Sequence, residues 1–98
     1  MADTIRLDRF LWFARIVKTR PLAQAMAESG HFRIDGRKIE RAHCPVRIGN
    51  ILTFAAHGGR VRVLRVEALP VRRGPAPEAA ACYQELLTDN VSQQGGGD

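Results

Sequence analysis

The sequence predicts an α+β fold, in which two short N-terminal helices pack on a small antiparallel sheet and a third helix follows near the C-terminus. Three observations support this prediction. Apolar residues recur at helical spacing up to residue 29, alternate with polar residues between residues 31 and 69, and return to helical spacing from residue 78. The chain has 98 residues and is 45% hydrophobic, which suits one small folded domain rather than an intrinsically disordered protein.

One apolar stripe predicts the first helix over residues 7–17. Its members are Leu7, Phe10, Leu11, Ala14 and Val17. Trp12 and Ile16 lie on the opposite side of the helical wheel. This helix is therefore expected to carry a second apolar patch that some other part of the chain must cover.

A second, shorter helix is predicted from the apolar positions between Leu22 and Ser29, and Gly30 is a typical residue at a helix C-terminus. Its first residue stays open between two alternatives. Thr19 is a good N-cap residue. Pro21 is at home in a first turn and disfavours helical geometry at the preceding residue, which would make Arg20 the N-cap.

The pattern after the second helix predicts a β-hairpin. Phe32 and Ile34 alternate with polar neighbours, as in a half-buried strand. Asp35-Gly36 is a tight-turn signal, and residues 37–39 follow it as the returning strand.

Two further strands are predicted over residues 51–56 and 60–69, joined by the turn His57-Gly58-Gly59. The apolar alternation changes phase within the second of them. We therefore predict a β-bulge at Val63-Leu64, which would keep the apolar side continuous.

A stretch rich in proline and glycine, residues 70–77, predicts a linker between a domain at 5–69 and a C-terminal helix at 78–90. The apolar stripe of that helix consists of Ala79, Cys82, Tyr83, Leu86 and Leu87. We expect Trp12 to be buried beneath this stripe. Residues 91–98 are predicted to be a disordered tail.

Charge is distributed unevenly along the chain. Residues 1–73 hold fifteen Lys and Arg against six Asp and Glu, a net charge of +9, whereas residues 74–98 hold four acids and no base. Thirteen of the fifteen bases are arginine, whose planar guanidinium matches phosphate and stacks on nucleobases. This charge favours a polyanionic partner, nucleic acid ahead of a membrane surface, although a basic pI that serves only solubility is the alternative.

Histidines and cysteines show no arrangement typical of a metal site or a catalytic centre. His43 and Cys44 are adjacent, and the remaining ones are scattered. Neither a catalytic triad order nor a phosphate-binding glycine loop is found. We therefore expect no metal, no cofactor and no enzymatic activity. Because no apolar run approaches the roughly 18 residues of a membrane span and no signal peptide is evident, we expect a cytoplasmic protein without a membrane partner.

Several motifs in order resemble the S4-type RNA-binding domain. They are the first helix, KTR at 18–20, GHFRIDG at 30–36 and VRIGNIL at 46–52. The stretches RLDRFLWFARIVKTRPLA (6–23) and RRGPAPEAAACYQELL (72–87) are further similar to the heat-shock protein 15 family of bacterial RNA-binding proteins. That family implies a non-catalytic protein. Its implied partner is rRNA of the free large (50S) ribosomal subunit carrying a nascent chain, in rescue or recycling of stalled subunits under stress.

Carried over position by position, the resemblance implies an RNA-binding surface. Its residues are Arg6 and Arg9 on the first helix, Lys18, Thr19, Arg20 and Gln24 at the start of the second, and Arg33, Asp35, Gly36, Arg37 and Lys38 on the hairpin. A helix N-terminus attracts anions, and Lys18 and Arg20 add charge beside it. The Thr19 hydroxyl either caps the helix or donates to a phosphate. The alternative is that these residues form a solvated polar face.

The chain departs from this family at three points. Asp35 stands where the turn of the family usually has asparagine, which places a negative charge where phosphates are expected. Asn50 stands where an aspartate usually follows the glycine. Longer members carry a basic C-terminal extension that this sequence does not contain, so contacts made by that extension are expected to be missing.

Two other functions fit the sequence. Trp12, Ile16 and the predicted C-terminal helix would suit a protein-interaction module that dimerises. An RNA-targeting accessory to an RNA-modifying enzyme is the other, since S4-type domains are often fused to such enzymes. We expect RNA as the partner, with single-stranded nucleic acid in general as a broader alternative, and a monomer rather than a dimer.

Overall fold

A computed structural model of the chain describes residues 3–88. Its elements in chain order are β1 (Ile5–Arg6), α1 (Leu7–Phe13), α2 (Arg20–Ala27), β2 (Phe32–Ile34), β3 (Arg37–Ile39), β4 (Pro45–Val46), β5 (Ile51–Ala55), a 3₁₀ turn (His57–Gly59), β6 (Val61–Val66), α3 (Ala76–Ala80) and β7 (Tyr83–Thr88). Within this part of the chain, no helix is long and apolar enough to cross a bilayer.

An antiparallel sheet of five strands, in the order β3-β2-β5-β6-β7, forms one layer of the molecule. A separate two-stranded pair, β1 and β4, joins the chain before α1 to the loop after β3. Because the helices pack on one face of this sheet, the predicted α+β class is confirmed.

The core lies between the two N-terminal helices and one face of the sheet. Its helical side consists of Leu7, Phe10, Leu11, Ala23 and Ala27, and its sheet side of Phe32, Ile34, Leu52, Phe54, Leu64 and Val66. The rings of Phe32 and Phe54 stack across β2 and β5 with their centroids 5.1 Å apart. Alternation along these strands sends every second side chain to the opposite, solvent-facing side of the sheet.

Helix α1 is shorter than the predicted 7–17 and ends at Phe13. The reason is local, because Arg15 has a φ of 58°, in the left-handed region that a right-handed helix does not tolerate. Ala14 and Val17 remain buried after the helix has ended. Residues 14–19 thus form a connection between α1 and α2 that contributes to the core without being helical.

The start of α2 decides between the two N-cap alternatives. Thr19 has extended geometry, and its Oγ1 accepts a hydrogen bond of 3.2 Å from the Leu22 N–H. Arg20 is then the first helical residue and Pro21 the second, where a missing N–H costs nothing. Thr19 is therefore the N-cap.

The predicted hairpin is confirmed. β2 and β3 pair with Phe32 opposite Ile39 and Arg33 opposite Lys38. Asp35 and Gly36 between them have φ values of 53° and 82°, the positive values that a two-residue type I′ turn requires.

The predicted irregularity at Val63-Leu64 is also confirmed, but the extra residue lies on the partner strand. Val63 pairs with Leu87 and Leu64 with Glu85, so Leu86 of β7 has no residue opposite it. The pairing of β5 with β6 continues through this point without interruption.

The predicted C-terminal helix over 78–90 is wrong in extent. A helix forms only at Ala76–Ala80, and Tyr83–Thr88 instead pair with β6 as the last strand of the sheet. A short apolar run fits a buried strand as well as a helix, and the open edge of β6 offers backbone partners that an isolated helix lacks. Residues 89–90 and the predicted tail at 91–98 lie outside the described residues.

The predicted linker at 70–77 is replaced in its last two residues by the beginning of α3. Residues 70–75 carry no helix or strand. Because β7 follows them and pairs with β6, they connect two parts of a single sheet rather than two separate units.

Candidate nucleic-acid interface

The start of α2 presents the KTR triplet to solvent. Lys18, Thr19 and Arg20 are exposed, and so is Gln24 one turn further along the same face. Pro21 has no N–H, and Leu22 and Ala23 donate theirs to Thr19 Oγ1 and Thr19 O. Anion attraction at this helix start therefore relies mainly on the Lys18 and Arg20 charges, and less on free backbone donors than the sequence suggested.

The two roles that the sequence left as alternatives for Thr19 are compatible with each other. Its Oγ1 accepts from the Leu22 N–H, and a hydroxyl that accepts still carries a proton to donate. Capping the helix thus leaves Thr19 able to donate to a phosphate oxygen in front of α2.

Trp12 is covered by guanidinium groups. The Cζ atoms of Arg20 and Arg73 lie over its ring, 5.9 and 5.6 Å from the centroid. Trp12 was expected to be buried beneath the C-terminal helix, and it is half-buried. The predicted covering helix over residues 78–90, however, is reduced to the short helix α3, and the guanidinium groups of Arg20 and Arg73 cover the Trp12 ring.

Arg73 ties the segment after β6 to the α1–α2 connection. Its Nε donates to Trp12 O at 3.0 Å and its Nη2 to Val17 O at 3.5 Å. In the reverse direction, Arg15 Nε donates to Gly74 O at 2.6 Å. Four bases, Arg15, Lys18, Arg20 and Arg73, therefore surround the α1–α2 connection, and we refer to them as the basic cluster.

Two members of the basic cluster, Arg15 and Arg73, were not among the predicted site residues. Arg73 comes from a stretch that reads as a linker, and its docking on Trp12 spans 61 positions of sequence. The sequence feature that could have indicated Arg73 is the RRGPAP motif at 72–77, which is part of the resemblance to the family.

Arg6 and Arg9 lie at the opposite end of α1 from the basic cluster. Arg6 forms a bidentate pair with Asp8, with Nε–Oδ1 at 3.0 Å and Nη2–Oδ2 at 2.9 Å, and the Arg9 N–H donates to Asp8 Oδ1. The Asp8 side chain is fully buried, whereas that of Arg6 is 44% exposed. Arg6 therefore compensates a buried charge, and Arg9 is the exposed base on this helix.

The hairpin carries the third group of predicted bases. Arg33 and Lys38 are register partners on the sheet face that points away from the helices, since Phe32 and Ile34 on either side of Arg33 are buried. Arg37 is also exposed. The hairpin therefore presents Arg33, Arg37 and Lys38 to solvent.

Ion pairing distinguishes the predicted bases from one another. The five pairs in the described part of the chain are Arg6–Asp8, Lys38–Glu40, Arg62–Glu85, Arg65–Glu67 and Arg72–Glu78. The predicted bases outside these pairs are Arg9, Lys18, Arg20, Arg33 and Arg37. Their charges have no acidic partner between residues 3 and 88, and a phosphate backbone would supply one.

The Asp35 carboxylate is exposed at the turn, and both of its oxygens accept hydrogen bonds. Its Oδ1 accepts from the Ile51 N–H and its Oδ2 from Asn50 Nδ2, both at 2.8 Å. Asn50 Oδ1 in turn accepts from the Arg47 N–H at 2.7 Å. Asp35 and Asn50, two positions where the sequence differs from the usual residues of the family, are thus hydrogen-bonded to each other beside Gly36.

Two ionisable groups have shifted pKa values. The Glu85 hydrogen bond raises the pKa of Arg62, against the smaller opposing effect of burial. Burial raises the pKa of the Cys82 thiol. Across residues 3–88, no group of three or more His, Cys, Asp and Glu side chains lies close enough to hold a metal ion.

Comparison with known proteins places these residues in a family context. The family model of the S4 domain matches residues 5–52. The chain is 39% identical over 83 residues to the heat shock protein 15 homolog of Haemophilus influenzae, and 38% identical over 84 residues to heat shock protein 15 of Escherichia coli K12. These alignments cover 83% and 86% of this chain but 60% and 62% of the relatives, so the chain spans about three fifths of their length.

A solved structure agrees with this similarity. The trimeric structure of heat shock protein 15 from Vibrio cholerae has a TM-score of 0.76 to this chain at 35% sequence identity. The match covers 84% of this chain and 81% of that one.

Proposed function

Because this chain belongs to the heat shock protein 15 family of S4-domain proteins, we propose that it is a non-catalytic protein that binds structured RNA. One observation carries the proposal. Lys18 and Arg20 are exposed at the start of α2 without an acidic partner between residues 3 and 88, and Arg73 adds a third charge where its hydrogen bonds hold the α1–α2 connection. A fixed array of guanidinium and ammonium groups recognises phosphates by their spacing.

The partner we propose is rRNA of the free large ribosomal subunit carrying a nascent chain, in the cytoplasm, during rescue or recycling of stalled subunits under stress. The family resemblance of the sequence supports this choice, and the relatives are named heat shock proteins. The physical reason to expect free subunits is that a rigid basic surface fits a fixed arrangement of phosphates, which subunit joining can cover.

The experiment is sedimentation of purified protein with large subunits and with joined ribosomes through gradients of increasing salt. We expect saturable binding of one protein per large subunit, persisting at salt concentrations where binding to an unrelated duplex RNA has been lost. Electrostatic attraction alone would give attachment that fades with salt equally for both. Equal affinity for subunits and duplex at every salt concentration would leave only a general RNA-binding protein.

A variant pair makes this experiment specific to the proposed surface. Lys18→Ala/Arg20→Ala removes two charges at α2, whereas Arg47→Ala/Arg60→Ala removes two exposed charges outside the predicted surface. Both variants change the net charge equally. Loss of subunit binding in the first alone assigns the interface, and equal loss in both contradicts it.

A further inference from the structure

An open groove of about 1090 Å³ runs beside α2, next to the basic cluster. It is lined by the α1–α2 connection, by the side of α2 that faces away from α1, and by the ends of β5 and β6. The lining residues are Arg15, Ile16, Val17, Lys18, Leu22, Ala25, Met26, Ser29, His31, Phe54, Ala55, Ala56, Arg62 and Arg73. Its volume lies slightly above that of small-ligand sites, which are roughly 300–1,000 Å³.

The walls of the groove are mainly apolar and partly open to solvent. The side chain of Leu22, on the amphipathic helix α2, is 52% exposed. Met26, one turn further along, is half-buried and packs against the core from the same side. An apolar surface of this kind gains free energy when a flat, weakly hydrated group covers it.

The charge of the groove is of one sign. Its lining contains four Arg and Lys residues and no Asp or Glu. The charge of Arg62 is matched by Glu85, at 2.6 Å between Nη2 and Oε1, whereas Arg15, Lys18 and Arg73 form no ion pair among residues 3–88. The occupant that complements this lining has an apolar face and a negative charge at the rim.

We propose that the groove receives an unpaired nucleobase of the bound RNA, with the adjoining phosphates against Lys18 and the rest of the basic cluster. This inference rests on the proposed function and adds the part of the RNA that is recognised. A nucleobase has flat apolar faces and is always joined to phosphate, so it meets both conditions of the lining. The thioether of Met26 is a favourable partner for an aromatic ring, and the exposed His31 offers ring nitrogens to a base edge.

Position supports a nucleobase over other occupants. Lys18 belongs both to the predicted phosphate contacts and to the groove lining, so an RNA strand bound at the start of α2 passes the groove opening. Unpaired bases are the parts of structured RNA that proteins read, since paired bases are hidden in the helix. A second copy of this chain is a poorer occupant, because its excess of Arg and Lys side chains would face the basic rim of the groove.

The test uses the full-length protein with ¹³C-labelled methionine methyl groups. The chain has two methionines, and the Met26→Leu variant assigns the Met26 methyl signal. The probes are an RNA hairpin with one bulged nucleotide and the same hairpin fully paired. We expect the ring current of the base to shift the Met26 methyl upfield with the bulged RNA, and no such shift with the paired one.

Affinity measurements with matched variants complete the test. Leu22→Ala removes apolar wall and should weaken binding of the bulged RNA by roughly fivefold while leaving the paired RNA unchanged. Leu87→Ala is the control, because Leu87 is equally exposed at 52% and lies outside the groove. A loss of equal size in both variants would overturn the proposal.

The outcomes separate the inference from the proposed function. If neither hairpin binds at low salt, where electrostatic attraction alone gives attachment, RNA binding fails and the inference fails with it. If both bind with the same affinity and Met26 does not shift, RNA binding stands and the nucleobase site is refuted. If the Met26 methyl shifts with protein concentration in the absence of RNA, the groove is occupied by a second copy and the inference is overturned.

Discussion

Removing Lys18 and Arg20 tests how much of the RNA affinity comes from the start of α2. Each phosphate contact contributes roughly 0.7–0.9 to the slope of log affinity against log salt concentration. The Lys18→Ala/Arg20→Ala variant should therefore lower the slope by about 1.4–1.8. If the affinities of variant and parent meet at 1 M salt, the variant binds roughly 25- to 60-fold more weakly at 0.1 M.

The structure also sets the expected cost in stability. Arg20 lies over Trp12 at 5.9 Å, and an exposed cation–π contact contributes about 0.5–1 kcal/mol. Arg73 keeps its own contact with the same ring at 5.6 Å, so the ring stays partly covered. We expect the variant to remain folded, with Tm lowered by at most about 4–8 °C.

The assay is binding of a structured RNA at several salt concentrations, with Arg47→Ala/Arg60→Ala as the variant of equal charge. The reasoning is refuted if the slope of Lys18→Ala/Arg20→Ala equals that of the parent. It is refuted as well if both variants lose the same slope, because net charge rather than position would then explain the effect.

Three further predictions concern stability. Arg73→Ala should red-shift the fluorescence of the single tryptophan and lower the free energy of unfolding by about 1.5–3 kcal/mol, as measured by denaturant titration. Arg72→Ala removes an exposed ion pair and should change the free energy of unfolding by less than about 1 kcal/mol. Asp35→Asn should cost about 1 kcal/mol by loss of an acceptor, and adding Asn50→Asp should restore it; a double-mutant cycle without coupling would contradict the pairing. Because burial raises the pKa of the Cys82 thiol, the thiol loses its proton at a lower pH in the unfolded chain than in the folded one. The free energy of unfolding should therefore fall as the pH rises above about 8.5, and Cys82→Ala should lessen that fall.

Local chemistry explains what the sequence predicted well. The hairpin depends on two residues with positive φ, and Asp35-Gly36 is a dipeptide that adopts them readily. Thr19 was one of two N-cap alternatives for a similar reason, because a cap involves only the next three residues. These features depend on neighbours in the chain and so could be predicted from a single sequence.

Partners distant in sequence explain what was missed. The residues from Tyr83 onward have an apolar pattern compatible with a helix, and only the open edge of β6 makes them a strand. Arg73 likewise gains its role from the carbonyl oxygens of Trp12 and Val17.

The hydrogen bonds of Arg73 and Gly74 have a consequence for excised fragments. The S4 match ends at residue 52, yet the α1–α2 connection is held from outside that interval, by Arg73 on Trp12 O and by Gly74 O on Arg15. A fragment cut after residue 69 would keep Lys18 and Arg20 while losing these two tethers. Transplanted into another protein, such a fragment would carry the charges of the interface without the contacts that hold them at a fixed spacing.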